Sequence, residues 1–162
     1  MAELTVETVQ KALAGETTLN AIFGFSEEQI QGIAAIGYQL YEQGKMEQAA
    51  EIFRGLMSLD TTSYLGFAGM GAVALAQEPP ALDSAVTFLK RATELNSTDP
   101  SIFANLGEAY LRQGKFDEAA ATFEKALDLD PEEEDAGANR ARAIIDGMEI
   151  VIGELQKMEQ SA

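Results

Sequence analysis

The segment Gln43-Gly44-Lys45-Met46-Glu47-Gln48-Ala49-Ala50-Glu51-Ile52-Phe53 returns as Gln113-Gly114-Lys115-Phe116-Asp117-Glu118-Ala119-Ala120-Ala121-Thr122-Phe123, 70 positions later. Such self-similarity constrains the fold more than any local propensity, because a chain that repeats itself stacks copies of one supersecondary unit. Half of that spacing gives a unit of about 35 residues, within the range of helical-hairpin repeats, so a middle copy belongs between the two. Phe67, Met70, Gly71 and Ala74 open it, and Ala85, Leu89 and Ala92 fall in its second half. The expected product is an all-α array of three hairpins in which no hairpin buries its apolar face alone.

Composition narrows the chemistry. The chain has 162 residues, enough for one domain with a continuous core, and contains no cysteine and no histidine. Disulfides, thiolate metal sites and the commonest general base near neutral pH are therefore absent. We find no Gly-rich phosphate loop, nucleophile elbow or metal motif either, so the chain is expected not to be an enzyme and to need no cofactor or metal. With 11 basic and 27 acidic residues the formal net charge is −16, which repels nucleic acid and anionic membrane surfaces. The apolar runs are too short to span a bilayer and no basic flank precedes an apolar block at the start of the chain, so a cytoplasmic location is expected.

The repeats resemble the tetratricopeptide family, whose signature sets a large residue, Leu-Gly, Tyr, Ala, Phe, Ala and Pro at fixed intervals along a helix-turn-helix. The third copy follows it with Phe103, Leu106, Gly107, Tyr110, Ala119, Phe123, Ala126 and Pro131. The first is looser, with Ile33, Ile36, Gly37, Leu40, Ala49, Phe53 and Leu56, and the second replaces its turn by Gln77-Glu78-Pro79-Pro80. The resemblance implies a short right-handed superhelix. Its expected parts are an N-terminal helical segment (1–25), three repeats over 26–131 (about 30–63, 64–99 and 100–131) and a long C-terminal helix (132–162), one domain in all. Capping patterns place helices near 4–14, 27–43, 46–59, 64–77, 81–95, 100–113, 116–129 and 132–159, with Ser26 and Gln29 as a capping box. Asp99-Pro100 and Asp130-Pro131 each read as an N-cap followed by proline at the first helical position, with the acidic run 132–135 as favourable charge behind the second.

In that family the second, fifth, ninth and twelfth places of each first helix face a concave groove. Carried onto this chain they are Gln31, Ala34, Tyr38 and Tyr41, then Leu65, Ala68, Ala72 and Leu75, then Ser101, Ala104, Glu108 and Leu111. Alanine and tyrosine stand where a carboxylate-gripping groove would carry lysine, asparagine and arginine. Alanines that leave pockets, leucine walls and two tyrosines suit an extended, largely apolar peptide.

Residues 33–76 resemble a narrower family, the class II chaperones of type III secretion, through Gly37-Tyr38-Gln39-Leu40-Tyr41-Glu42-Gln43-Gly44-Lys45, Leu59-Asp60 and the small-residue helix Gly66-Phe67-Ala68-Gly69-Met70-Gly71-Ala72. This likeness implies a chaperone that holds an extended apolar segment of a hydrophobic translocator in its groove before export, in the bacterial cytoplasm and often as a homodimer. A general tetratricopeptide adaptor for protein–protein interaction is the alternative reading. For self-association two segments stand out. Residues 19–25 are apolar and glycine-broken, with Ile22, Phe23 and Phe25. In the last helix Ile144, Met148, Val151, Leu155 and Met158 alternate four and three apart, which is coiled-coil spacing.

Overall fold

The computed structural model describes residues 5–160. Among these the secondary structure is entirely helical: α1 (Val6–Leu13), α2 (Leu19–Phe23), α3 (Glu27–Glu42), α4 (Met46–Leu59), α5 (Tyr64–Ala76), α6 (Leu82–Leu95), α7 (Pro100–Arg112), α8 (Phe116–Asp128) and α9 (Ala136–Gln160). Helices α3 to α8 and α1 fall where the apolar periodicity and caps predict them, and residue 4 of the expected first helix lies outside the described residues. The chain divides into two compact units, residues 1–95 and 96–162. The first holds α1, α2 and the hairpins α3–α4 and α5–α6; the second holds the hairpin α7–α8 and α9.

The repeated Gln-Gly-Lys signature makes the same turn twice. Gly44 (φ 74°) and Gly114 (φ 75°) take the left-handed conformation open to glycine, so the chain can leave one helix and enter the next within three residues. The freed carbonyls are used: the Lys45 and Lys115 N–H groups donate to Leu40 and Tyr110 carbonyl oxygens at 2.9 and 3.0 Å. Each hairpin then closes on a phenylalanine. Phe53 is 0% exposed and packs with Ile30, Ala34, Ala49, Ala50, Leu56 and Val73, while Phe123 occupies the same place in the second unit among Ala104, Ala119, Ala126 and Ala141. Glycines face these rings. A Cβ built on Gly37 would stand 2.8 Å from Phe53 Cε1, and one on Gly107 would stand 2.5 Å from Phe123 Cδ1.

Helix α5 is apolar around its whole circumference, with eight buried residues from Gly66 to Leu75. Its surroundings explain this: α4 and its own partner α6 pack on it, and α3 touches it from a third side. A helix enclosed in this way has no polar face to keep wet.

Two details depart from expectation. The stretch 19–25 contains a further short helix, α2, capped by Thr18, whose Oγ1 accepts the Ala21 N–H at 3.1 Å, and ended at Gly24 with φ 74°. It rests on α1 and α4. The last helix begins at Ala136 rather than 132. Asp130 and Pro131 open a turn instead of a helix, because the Asp130 Oδ1 accepts the N–H groups of Glu134 (3.0 Å) and Asp135 (3.1 Å), and Glu133 turns the backbone at φ 60°. The cap falls to Asp135, whose Oδ1 accepts the Ala138 N–H at 2.8 Å. By contrast Asp99 caps α7 as expected, accepting the Ser101 N–H at 3.0 Å with Pro100 at the first helical position.

Candidate peptide-binding groove

The predicted groove positions sort by height. On α3 the structure leaves Gln31 exposed and Tyr38 and Tyr41 half-buried, while Ala34 is buried; on α5 Leu65 is half-buried and Ala68, Ala72 and Leu75 are buried. The expectation that these alanines leave open pockets is therefore corrected. Ala34, Ala68 and Ala72 are 2%, 4% and 7% exposed, so they are part of the interior, and Leu75 likewise belongs to the core rather than to a wall. The accessible part of the α3/α5 face is Gln31, Tyr38, Tyr41 and Leu65. Tyr38 is held from beneath by Phe53, edge to face with ring centroids 5.0 Å apart, and Tyr41 and Leu65 pack on the same cluster. Rings fixed in this way present a set surface at low ordering cost.

The second unit carries a different lining. On α7 Ala104 is buried, Leu111 packs on the Phe123 cluster and Ser101 is half-buried. Glu108 is engaged rather than free: it pairs with Arg112 one turn on and with Arg140 of α9 at 3.4 Å, and Arg140 also bonds Asn105. At the foot of α7 the Ser101 hydroxyl donates to the Asp135 carboxylate at 3.0 Å. Burial raises the Asp99 carboxyl above its usual range, with Asp135 adding to the rise, while N–H donors from Ser101 and Ile102 oppose it. The result is a polar, ion-paired strip. The Glu108–Arg112 spacing is visible in the sequence, but the contribution of Arg140, more than thirty positions further on, carries no local signal.

The predicted self-association residues also separate. Ile22 is 4% exposed and so is part of the interior. Phe23 and Phe25 face outward with ring centroids 6.4 Å apart. On α9, Met148 lies half-buried against α8, whereas Val151, Leu155 and Met158 are 58%, 55% and 68% exposed. Among the described residues no group of acidic side chains is arranged to hold a metal ion, and no helix is long and apolar enough to cross a membrane.

Hairpins joined by a Gly turn, with a small residue against each core phenylalanine, have the layout of tetratricopeptide repeats over part of the chain. Two family models agree: residues 100–133 match "Tetratricopeptide repeat" and residues 81–114 match "TPR repeat". No curated relative matches the chain by sequence. Solved structures do. A T3SS complex from Aeromonas hydrophila superposes with a TM-score of 0.71 at 21% identity, covering 91% of this chain and 98% of that one. The Yersinia enterocolitica type III secretion translocator chaperone SycD gives 0.66 at 20% identity, over 81% and 98%. PcrH of Pseudomonas aeruginosa, in complex with the chaperone-binding region of PopB, gives 0.61 at 28% identity, over 74% and 97%.

Proposed function

We infer that this protein is a chaperone of type III secretion that holds an extended, apolar segment of a translocator before export, in the bacterial cytoplasm and without catalysis. The observation that carries this reading is the likeness to PcrH, which spans nearly all of that chain and was seen with the chaperone-binding region of PopB in place. The chemistry of the α3/α5 face supports it. Leu65 supplies an apolar wall, and Tyr38 and Tyr41 cover apolar side chains while their hydroxyls can bond the peptide main chain. The alternative, a general adaptor, draws its support from residues 81–133, which follow the generic repeat models.

Co-expression separates the two. With a hydrophobic translocator as client, the chaperone is expected to raise the client's soluble fraction severalfold and to co-purify with it. The double variant Tyr38→Glu, Tyr41→Glu should abolish capture while the helical circular dichroism signal is retained, since neither ring is fully buried. A client no more soluble with the protein than without it would sink the chaperone reading, and unchanged capture by the variant would move the site off the α3/α5 face.

A further inference from the structure

Helix α5 shows what a complete repeat does to a first helix: α3 and α4 of the preceding hairpin pack on it, and its own partner α6 covers the remaining side. In the second unit α9 stands to α7 and α8 as α5 stands to α3 and α4, packing on both, but no described helix takes the place of α6. Between α8 and α9 lies an open slot of about 150 Å³, lined by Ala119, Ala120 and Phe123 of α8 and by Ile145, Met148, Glu149 and Ile152 of α9. Phe116, one turn before Ala120 on the same face of α8, is 60% exposed. A groove between two packed helices accepts the side-chain ridge of a third laid along it, so its natural occupant is a helix.

Charge says which helix. Glu149 lines the slot directly, and Asp117 and Glu124 stand three before and four after Ala120, on the same face of α8. Among the described residues none of these three carboxylates makes an ion pair. Of the nearby cations, Lys115 lies 5.7 Å from the centre of the Tyr110 ring, Lys157 pairs with Glu154 at 2.7 Å and Arg142 binds Asn139 and the Asp130 carbonyl; Lys125 follows Glu124 on α8 but points to a different side of the helix from Ala120, so the rim stays net acidic. No helix of this chain has a net positive charge, so a second copy would bring more acid to an acidic rim. We propose that the α8/α9 slot is a second docking site, apart from the α3/α5 face, for an amphipathic helix of a protein partner whose Leu/Ile stripe is flanked by lysine or arginine. The stripe fills the slot between Ala120 and Ile152, and the flanking cations meet Asp117, Glu124 and Glu149.

The test uses the full chain and three labelled synthetic peptides of about four helical turns: an amphipathic helix with a Leu stripe and Lys/Arg flanks, the same stripe with Glu flanks, and a scramble of the basic peptide. Fluorescence anisotropy should show the basic helix binding on the order of tenfold tighter than either control. Ala120→Glu, at an exposed helical position, should abolish that binding although it adds a negative charge, so the loss cannot be a loss of general attraction. Phe116→Ser should weaken it without a charge change, and Tyr38→Glu should leave it untouched, which keeps this site separate from the client groove. Equal binding of the scramble, or full binding by Ala120→Glu, overturns the proposal. So does sedimentation showing that Ala120→Glu turns a dimer into a monomer, since a second copy would then fill the slot.

Discussion

At the scale of single residues the fold rests on aromatic rings pressed onto glycine. A Cβ on Gly69 would lie inside the Phe53 ring contact, and Phe53, wholly buried, has nowhere to move. Two effects compete in Gly→Ala there: helix propensity gains up to about 1 kcal/mol, while overpacking costs about 1–3 kcal/mol. Overpacking should win at Gly69 and Gly107, where the ring is the nearest neighbour. At Gly32 and Gly55, exposed and with nothing within 4 Å of the added carbon, propensity should win. Urea unfolding of the four alanine variants is therefore expected to give opposite signs, with the first two destabilised and the last two stabilised by up to about 1 kcal/mol. Destabilisation at Gly32 and Gly55 would mean that the exposed glycines have a role which the close approaches do not explain. The pairing of Gly37 and Gly107 with Phe53 and Phe123 is legible in the sequence, because the repeat sets their spacing. That Ala34, Ala68 and Ala72 are buried rather than open to a groove is not legible, since burial depends on how nearly neighbouring helices approach.

Among the elements, α9 shows where local reading stops. Asp130-Pro131 followed by acid has the pattern of a helix start, and the same pattern at Asp99-Pro100 is one. The difference is tertiary. Asp130 is buried, with its backbone carbonyl bonded to Arg142 from α9 at 2.9 Å, and its side chain serves Glu134 and Asp135 N–H groups at the bottom of a turn. The start is thereby moved to Asp135, which also receives the Ser101 hydroxyl from α7. The substitution Asp135→Ala should cost about 1–2 kcal/mol, the scale of a lost N-cap, with a further loss from the orphaned serine. Pro131→Ala, at an exposed turn position outside the helix, should change stability by under about 0.5 kcal/mol. Thermal melts of the two variants distinguish the starts: a larger effect at Pro131 than at Asp135 would restore the earlier boundary. The long apolar spacing of α9 was readable. Its division into a face that lines the α8 slot and a face that is left exposed was not, because the phase of a stripe does not say which neighbour it meets.

For the molecule as a whole, the net charge of −16 and the exposed stripe on α9 act in opposite directions. Val151, Leu155 and Met158 stand on one side of the last turns at coiled-coil spacing, so pairing two copies through them removes apolar surface from water. The same pairing brings together two strongly acidic chains, whose repulsion is long-ranged at low salt and screened within about 8–10 Å near physiological ionic strength. We therefore expect self-association to strengthen as salt rises from ~50 mM to ~500 mM, opposite in sign to the capture of a basic helix by the α8/α9 slot. Sedimentation velocity at both salts should show the mass rising toward a dimer. Leu155→Glu with Met158→Glu should hold the chain as a monomer throughout, and Phe23→Ser with Phe25→Ser should leave the dimer intact. If the phenylalanine variant breaks the dimer and the α9 variant does not, the contact belongs to the N-terminal segment. A dimer that weakens with salt would show that ion pairs, rather than the apolar stripe, hold the two copies together.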